Sequence, residues 1–154
     1  MARFEYDASQ LDGDIVTRLK VAHDVTTNQA FEQILAQASE RLAEYFRGEL
    51  QVLGLNDTGQ LIDSVKPTDT KTSKDGAKYR DVYPQGNREK DGRSKVVKNA
   101  TVGFAHEYGV HRAPPNESTP AQHWMSNTVD NVAEEILNII QQGVEEILKK
   151  EIGG

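Results

Sequence analysis

The chain has 154 residues, 36% hydrophobic and 27% charged, with a formal net charge of -6 and no cysteine. That length favours one domain, and the missing cysteine excludes disulfides, thiol catalysis and thiolate metal sites, which fits a reducing compartment. The acidic balance argues against a general nucleic-acid binder, and no apolar run of about eighteen residues could span a membrane.

The N-terminal stretch, Met1 to Asp7, has no apolar core of the kind a signal peptide needs, so none is expected. The sequons at Asn56, Asn99 and Asn116 then carry no weight. Arg3 to Asp7 alternates charged and aromatic residues, which predicts a short edge strand. Leu11, Ile15, Val16 and Leu19 follow at helical spacing, with a break predicted over Val21 to Thr27.

From Asn28 to Arg47 the apolar residues Phe31, Ile34, Leu35, Ala38, Leu42, Tyr45 and Phe46 recur at three and four, predicting a helix wide enough to cover a sheet. Gly48 could end that helix or sit inside its last turn. Val52 to Gly59 reads as a connector, in which Asp57 or Thr58 can cap a short helix bearing Leu61, Ile62 and Val65 that Pro67 stops. Thr68 to Gly76 is polar and turn-rich, with some strand character from its threonines. Lys78 to Tyr83 reads as a strand closed by Pro84, and Gln85 to Lys95 as a long exposed loop.

Thr101, Val102 and Phe104 are good strand residues, so Val96 to Ala105 is predicted as the central strand, delivering Glu107 and Tyr108 at its tip. An irregular loop, His111 to Ser118, comes next. Thr119-Pro120-Ala121-Gln122 has the form of a capping box. It opens a helix whose apolar face runs from Trp124 and Met125 through Val129, Ile136 and Ile140 to Leu148. A helix from about 120 to 149 would be on the order of 45 Å long at 1.5 Å per residue. The fold expected is α+β, a small, mostly antiparallel sheet covered by two long helices. The organisation expected is a single domain over 1–154, with exposed loops near 85–95 and 111–118 and a flexible C-terminal tail. Phe31, Leu35, Leu42, Phe104 and Ile136 are expected to share its core.

Enzymatic chemistry finds little support. Asp57-Thr58-Gly59 is the triplet of aspartic proteases, but in a chain this short a dimer mate must supply the second carboxylate, and Asn56 stands where an apolar strand should run in. His106, Glu107, His111 and His123 contain metal-ligand chemistry, yet His106 and His111 are five apart, not four, with Gly109 between them. No glycine-rich phosphate loop occurs. Trp124, behind Pro114, Pro115 and Pro120, is either a packing anchor or an interface residue, and Glu107 could pair with Arg112.

Taken together, several blocks resemble the tail-completion and head–tail joining (neck and minor tail) proteins of long-tailed bacteriophages. Asp57-Thr58-Gly59, Leu61 and Ser64-Val65 resemble that family's D-T-G-x-L-x-x-S-[IV] signature. Val82 to Gly86 is similar to its valine-proline-glycine strand end, and Ala100 to Gly109, through Glu107-Tyr108-Gly109, to the E-[FY]-G of its A-x-x-x-x-E-[FY]-G block. Ser118 to Met125 lies where the family has a proline-aromatic segment before its last helix, although Gln122-His123-Trp124 replaces the usual Arg-Pro-Phe. The blocks keep their order across residues 4 to 149.

The resemblance implies a non-enzymatic virion protein without cofactor, assembled in the bacterial host cytoplasm. It would form a ring, often hexameric, at the head-proximal end of the tail, from subunits that can be monomeric beforehand. Its partners would be the tail-tube protein and the head–tail connector, with no membrane and no specific nucleic acid. Interface candidates are Arg88, Lys90, Arg93, Glu107, Tyr108, Arg112 and Trp124, and the motif residues are Asp57, Thr58, Gly59, Leu61, Ser64 and Gly109. The alternatives are a metal-dependent hydrolase using His106, Glu107, His111 and His123, or an oligomeric adaptor outside any virion.

Overall fold

The computed structural model describes residues 3–7, 16–21, 29–55, 59–74, 76–88 and 97–152. Strands β1 (Arg3–Asp7), β2 (Val16–Val21), β3 (Val65–Pro67), β4 (Lys71–Thr72) and β5 (Lys78–Pro84) form one antiparallel sheet in the order β1-β2-β5-β3, with β4 also on β5. The helices are α1 (Gln29–Val52), α2 (Gln60–Ser64), α3 (Asn99–Tyr108) and α4 (Trp124–Ile152). The fold is therefore α+β, with a small open antiparallel sheet.

The helical spacing assigned to Val16 and Leu19 is corrected: both lie in β2, paired on β1 and β5. Thr17 and Leu19 are buried and Arg18 between them is not, the period of two that a half-buried strand imposes. On the other face Arg18 donates to both carboxylate oxygens of Asp81, at 2.7 and 3.1 Å, and its guanidinium lies 4.1 Å above the Tyr79 ring. Asp81 is buried, and this two-point bond compensates the cost of taking its charge out of water.

The first helix runs further than its stripe predicts. Gly48 lies inside it, and the end is at Gly54, whose φ of 70° is the left-handed conformation that glycine adopts without strain. The Leu55 N–H reaches back to the Leu50 carbonyl at 2.9 Å and the Gly54 N–H to the Gln51 carbonyl at 3.1 Å. This double bond pattern satisfies carbonyls that the helix end would otherwise strand.

The predicted central strand is a helix. Within α3 the buried residues are Asn99, Ala100, Gly103 and Glu107, a three-to-four spacing. Two of them are small, so the helix sits close to its neighbours. That packing overrides the strand preference of Thr101, Val102 and Phe104, which is a weak and context-dependent term. Phe104 consequently leaves the core and is 37% exposed.

The core lies between the sheet and the two long helices. Leu35, Leu42, Phe46 and Leu50 of α1 meet Trp124, Met125, Ile136 and Ile140 of α4, with Leu19, Val65 and Val82 from the sheet. Phe31 is also buried. Packing is tight where α4 crosses α1, since a Cβ on Gly143 would fall 2.7 Å from Ile34 Cδ1. α1 lies against β5 and β3, whereas α4 lies against α1 and reaches β1.

Candidate interaction surface around the third helix

Residues 85 to 88 and 97 to 99 bring the ends of the polar loop together. Asn87 and Lys98 form a bridge, and the Arg88 N–H donates to the Val97 carbonyl at 2.7 Å. Asn99 joins these two segments to α3. Its N–H donates to the Gly86 carbonyl and its side-chain amide to the Gln85 carbonyl, both at 3.0 Å. The Gln85 N–H in turn reaches the Ser64 carbonyl at 2.9 Å, and α2 packs on α3.

The far end of α3 is built into the start of α4. The Gln122 and His123 N–H groups donate to the His106 and Glu107 carbonyls at 2.7 and 3.1 Å. In return the Glu107 side chain accepts the Met125 N–H at 2.7 Å and the Ser126 N–H at 3.2 Å. Each helix thus satisfies backbone groups that the other's terminus leaves orphaned. A carboxylate at a helix N-terminus also faces the positive end of its dipole. The expected capping box is corrected here: α4 starts at Trp124, because Thr119 to His123 is spent pairing with Val110 and closing α3.

Gly109 permits the reversal between the two helices. Its φ is 75°, and an added Cβ would lie 2.6 Å from the Thr119 carbonyl oxygen and 2.8 Å from the Ala121 nitrogen. Reciprocal bonds of 2.9 and 2.8 Å between Val110 and Thr119 then close the base of an exposed loop over 111–118. Within it Arg112 and Ser118 are tied, the Arg112 N–H donating to the Ser118 hydroxyl at 3.0 Å.

The interface candidates divide by burial. Trp124 is fully buried, donates its indole N–H to the Gly103 carbonyl at 3.0 Å and meets Phe46 edge-on, so it is a packing anchor. Glu107 is fully buried too and caps α4. These two side chains are removed from any partner by the chain's own packing. Tyr108 and Arg112 are exposed, and Arg88 is half-buried. Lys90 and Arg93 lie outside the described residues, as do Asp57 and Thr58.

Of the other motif residues, Gly59 precedes α2 with φ 74°, Leu61 is in the core, and the Ser64 hydroxyl donates to the Leu61 carbonyl at 2.6 Å. Phe104, expected in the core, packs against Tyr108 instead, with ring centres 5.0 Å apart and the rings tilted by 45°. Its spacing of four from Tyr108, the spacing of neighbours on one helix face, was the available signal.

His106, Glu107, His111 and His123 do not converge. Among the described residues no group of three His, Asp or Glu side chains is placed to hold a metal ion, and the Glu107 carboxylate is already committed to two amides. No described helix is long and apolar enough to cross a membrane. No protein-family model, curated protein or solved structure matches the chain.

Proposed function

We propose that this chain is a virion structural protein that forms a ring at the head-proximal end of a phage tail. The ring ends growth of the tail tube and joins it to the connector. The observation that carries this reading is the meeting of the four sequence blocks on which the resemblance rests. The segments Gly59 to Val65, Val82 to Gly86, Ala100 to Gly109 and Ser118 to Met125 knit into one unit through the Ser64–Gln85, Glu107–Met125 and Gly103–Trp124 bonds, and through the bond from Gly86 to Asn99, the residue just before the third segment. Blocks scattered along the chain thus serve one local structure, and that structure presents the Phe104–Tyr108 pair and the 111–118 loop outward.

The work asked of such a protein is geometric. One face matches the last tube ring, the other matches the neck, and nothing turns over. Exposed aromatics on a braced helix are suited to it, because a rigid anchor loses little entropy on docking. The test is electron microscopy of particles assembled from a genome lacking this gene. The expected result is separate heads with unjoined or overlong tails. Normal, fully joined particles would refute the proposal.

A further inference from the structure

Charge is segregated between two parts of the fold. The β3–β4 edge carries Lys66, Lys71 and Lys74, all exposed, with Asp69 among them. Lys66 lies opposite Tyr83 and Lys71 opposite Tyr79, so both share one face of the sheet with the Arg18–Asp81 pair. The outer surface of α4 carries Asp130, Glu134, Glu145 and Glu146, with Lys149 one turn beyond Glu145, all exposed. Asp130, Glu134 and Glu145 fall on one line of the helix, spanning roughly 22 Å at 1.5 Å per residue. A shallow groove beside them is lined by Glu134, Glu135, Asn138 and Gln142. α4 reaches β1, while β3 and β4 occupy the opposite margin of the sheet, so the acidic residues and the edge lysines are carried by different parts of the fold.

Among the described residues no ion pair joins these lysines to the acids of α4 within one molecule; between two molecules such pairs can form. We propose that the acidic outer face of α4 docks on the lysine-bearing β3–β4 edge of a second copy of this chain. Such a contact joins two different patches, so repetition gives a closed ring when the rotation closes, and a filament when it does not. Pro67 and the edge lysines obstruct backbone pairing there, which leaves side-chain charge to hold the neighbour and set its register. Glu135 contributes less, being engaged by Tyr45 and Arg41 of its own chain. The inference deepens the ring reading by naming its surfaces.

The experiment is sedimentation velocity on the purified full-length chain, at low and high ionic strength. Wild type is expected to associate with rising concentration at low salt and to dissociate at high salt. A Lys66→Glu, Lys71→Glu, Lys74→Glu variant is expected to stay monomeric. So is an Asp130→Lys, Glu134→Lys, Glu145→Lys variant. Mixing the two restores a reversed edge against a reversed helix and a native edge against a native helix, so the mixture is expected to associate although neither variant does. Circular dichroism confirms that both variants remain folded. A wild type that is monomeric throughout, variants that associate like wild type, or a mixture that stays monomeric would each overturn the proposal. Rings that form as described but ignore purified tail tubes would instead refute the tail assignment and leave this interface standing.

Discussion

The Glu107 side chain, at the last turn of α3, receives the Met125 amide at 2.7 Å at the first turn of α4. Together with the Gln122 and His123 amides and the Trp124 indole, this acid ties the helix that carries the exposed aromatics to the helix that fills the core. Glu107→Gln keeps the shape but replaces one acceptor oxygen with a donor facing an amide. Hydrogen bonds to a charged group are worth about 1.5–3 kcal/mol each, so the substitution is expected to cost about that much. Glu107→Ala should cost more, since both amides then lose their partner in a buried place. Urea unfolding of the two variants checks this, and equal midpoints for wild type and Glu107→Gln would mean that the bond is not the brace.

The reversal after α3 supplies a second comparison. Gly109 and Gly54 both have positive φ, but only at Gly109 would a Cβ strike backbone. Gly54→Ala meets nothing within 4 Å and should cost only the conformational strain, about 1 kcal/mol. Gly109→Ala adds a clash to that strain in a region that is nearly glycine-only, and should cost at least about 2–3 kcal/mol. Thermal melts in which Gly54→Ala is the worse of the two would contradict the close approach to Thr119.

Much of this fold was legible. The α1 stripe and the α4 stripe were read correctly because each repeats over several turns. The β1 and β5 strands were read from alternation and from Pro84. What failed was short and tertiary. α3 has ten residues, too few for its period to outweigh three strand-preferring side chains, and what makes it a helix is the neighbour that Ala100 and Gly103 admit. The burial of Glu107 is not legible in the sequence because its partners are backbone amides, which leave no mark there. For Trp124 the sequence allows core or interface, and only the fold places Gly103 and Phe46 around it. The charge segregation depends on which edges the topology leaves outermost, and that order is not written in any local pattern.

The corrected core makes its own prediction. Ile136→Ala and Leu42→Ala remove fully buried side chains and should each cost about 2–5 kcal/mol. Phe104→Ala removes a side chain that is 37% exposed, and should stay within about 1 kcal/mol of wild type. It should nevertheless weaken association with tail tubes if the aromatic pair is a docking anchor. Chemical denaturation ranks the three, and a Phe104→Ala loss as large as that of Ile136→Ala would return Phe104 to the core.

The last prediction concerns alkaline pH. The Tyr45 hydroxyl of α1 donates to the Glu135 carboxylate of α4, and the Arg41 guanidinium lies 4.6 Å above the Tyr45 ring. The hydrogen bond to Glu135 raises the phenol above its ordinary value, against the opposing pull of Arg41. Arg41 is itself raised, chiefly by its bond to Glu44. A phenol whose value is higher in the folded chain than in the unfolded one favours folding while it stays protonated. Its contribution is therefore complete below the ordinary value, near 10, and is lost as pH rises through the raised one. The chain has five tyrosines, so the measurement is the phenolate absorbance of wild type minus that of Tyr45→Phe across an alkaline titration. The difference should titrate above the ordinary value, and Glu135→Gln should move it down. The stability gap between wild type and Tyr45→Phe should hold steady through neutral pH and close as the phenol ionises. A difference titration at or below the ordinary value, or a gap that widens with pH, would show that Tyr45 and Glu135 are not bonded in solution.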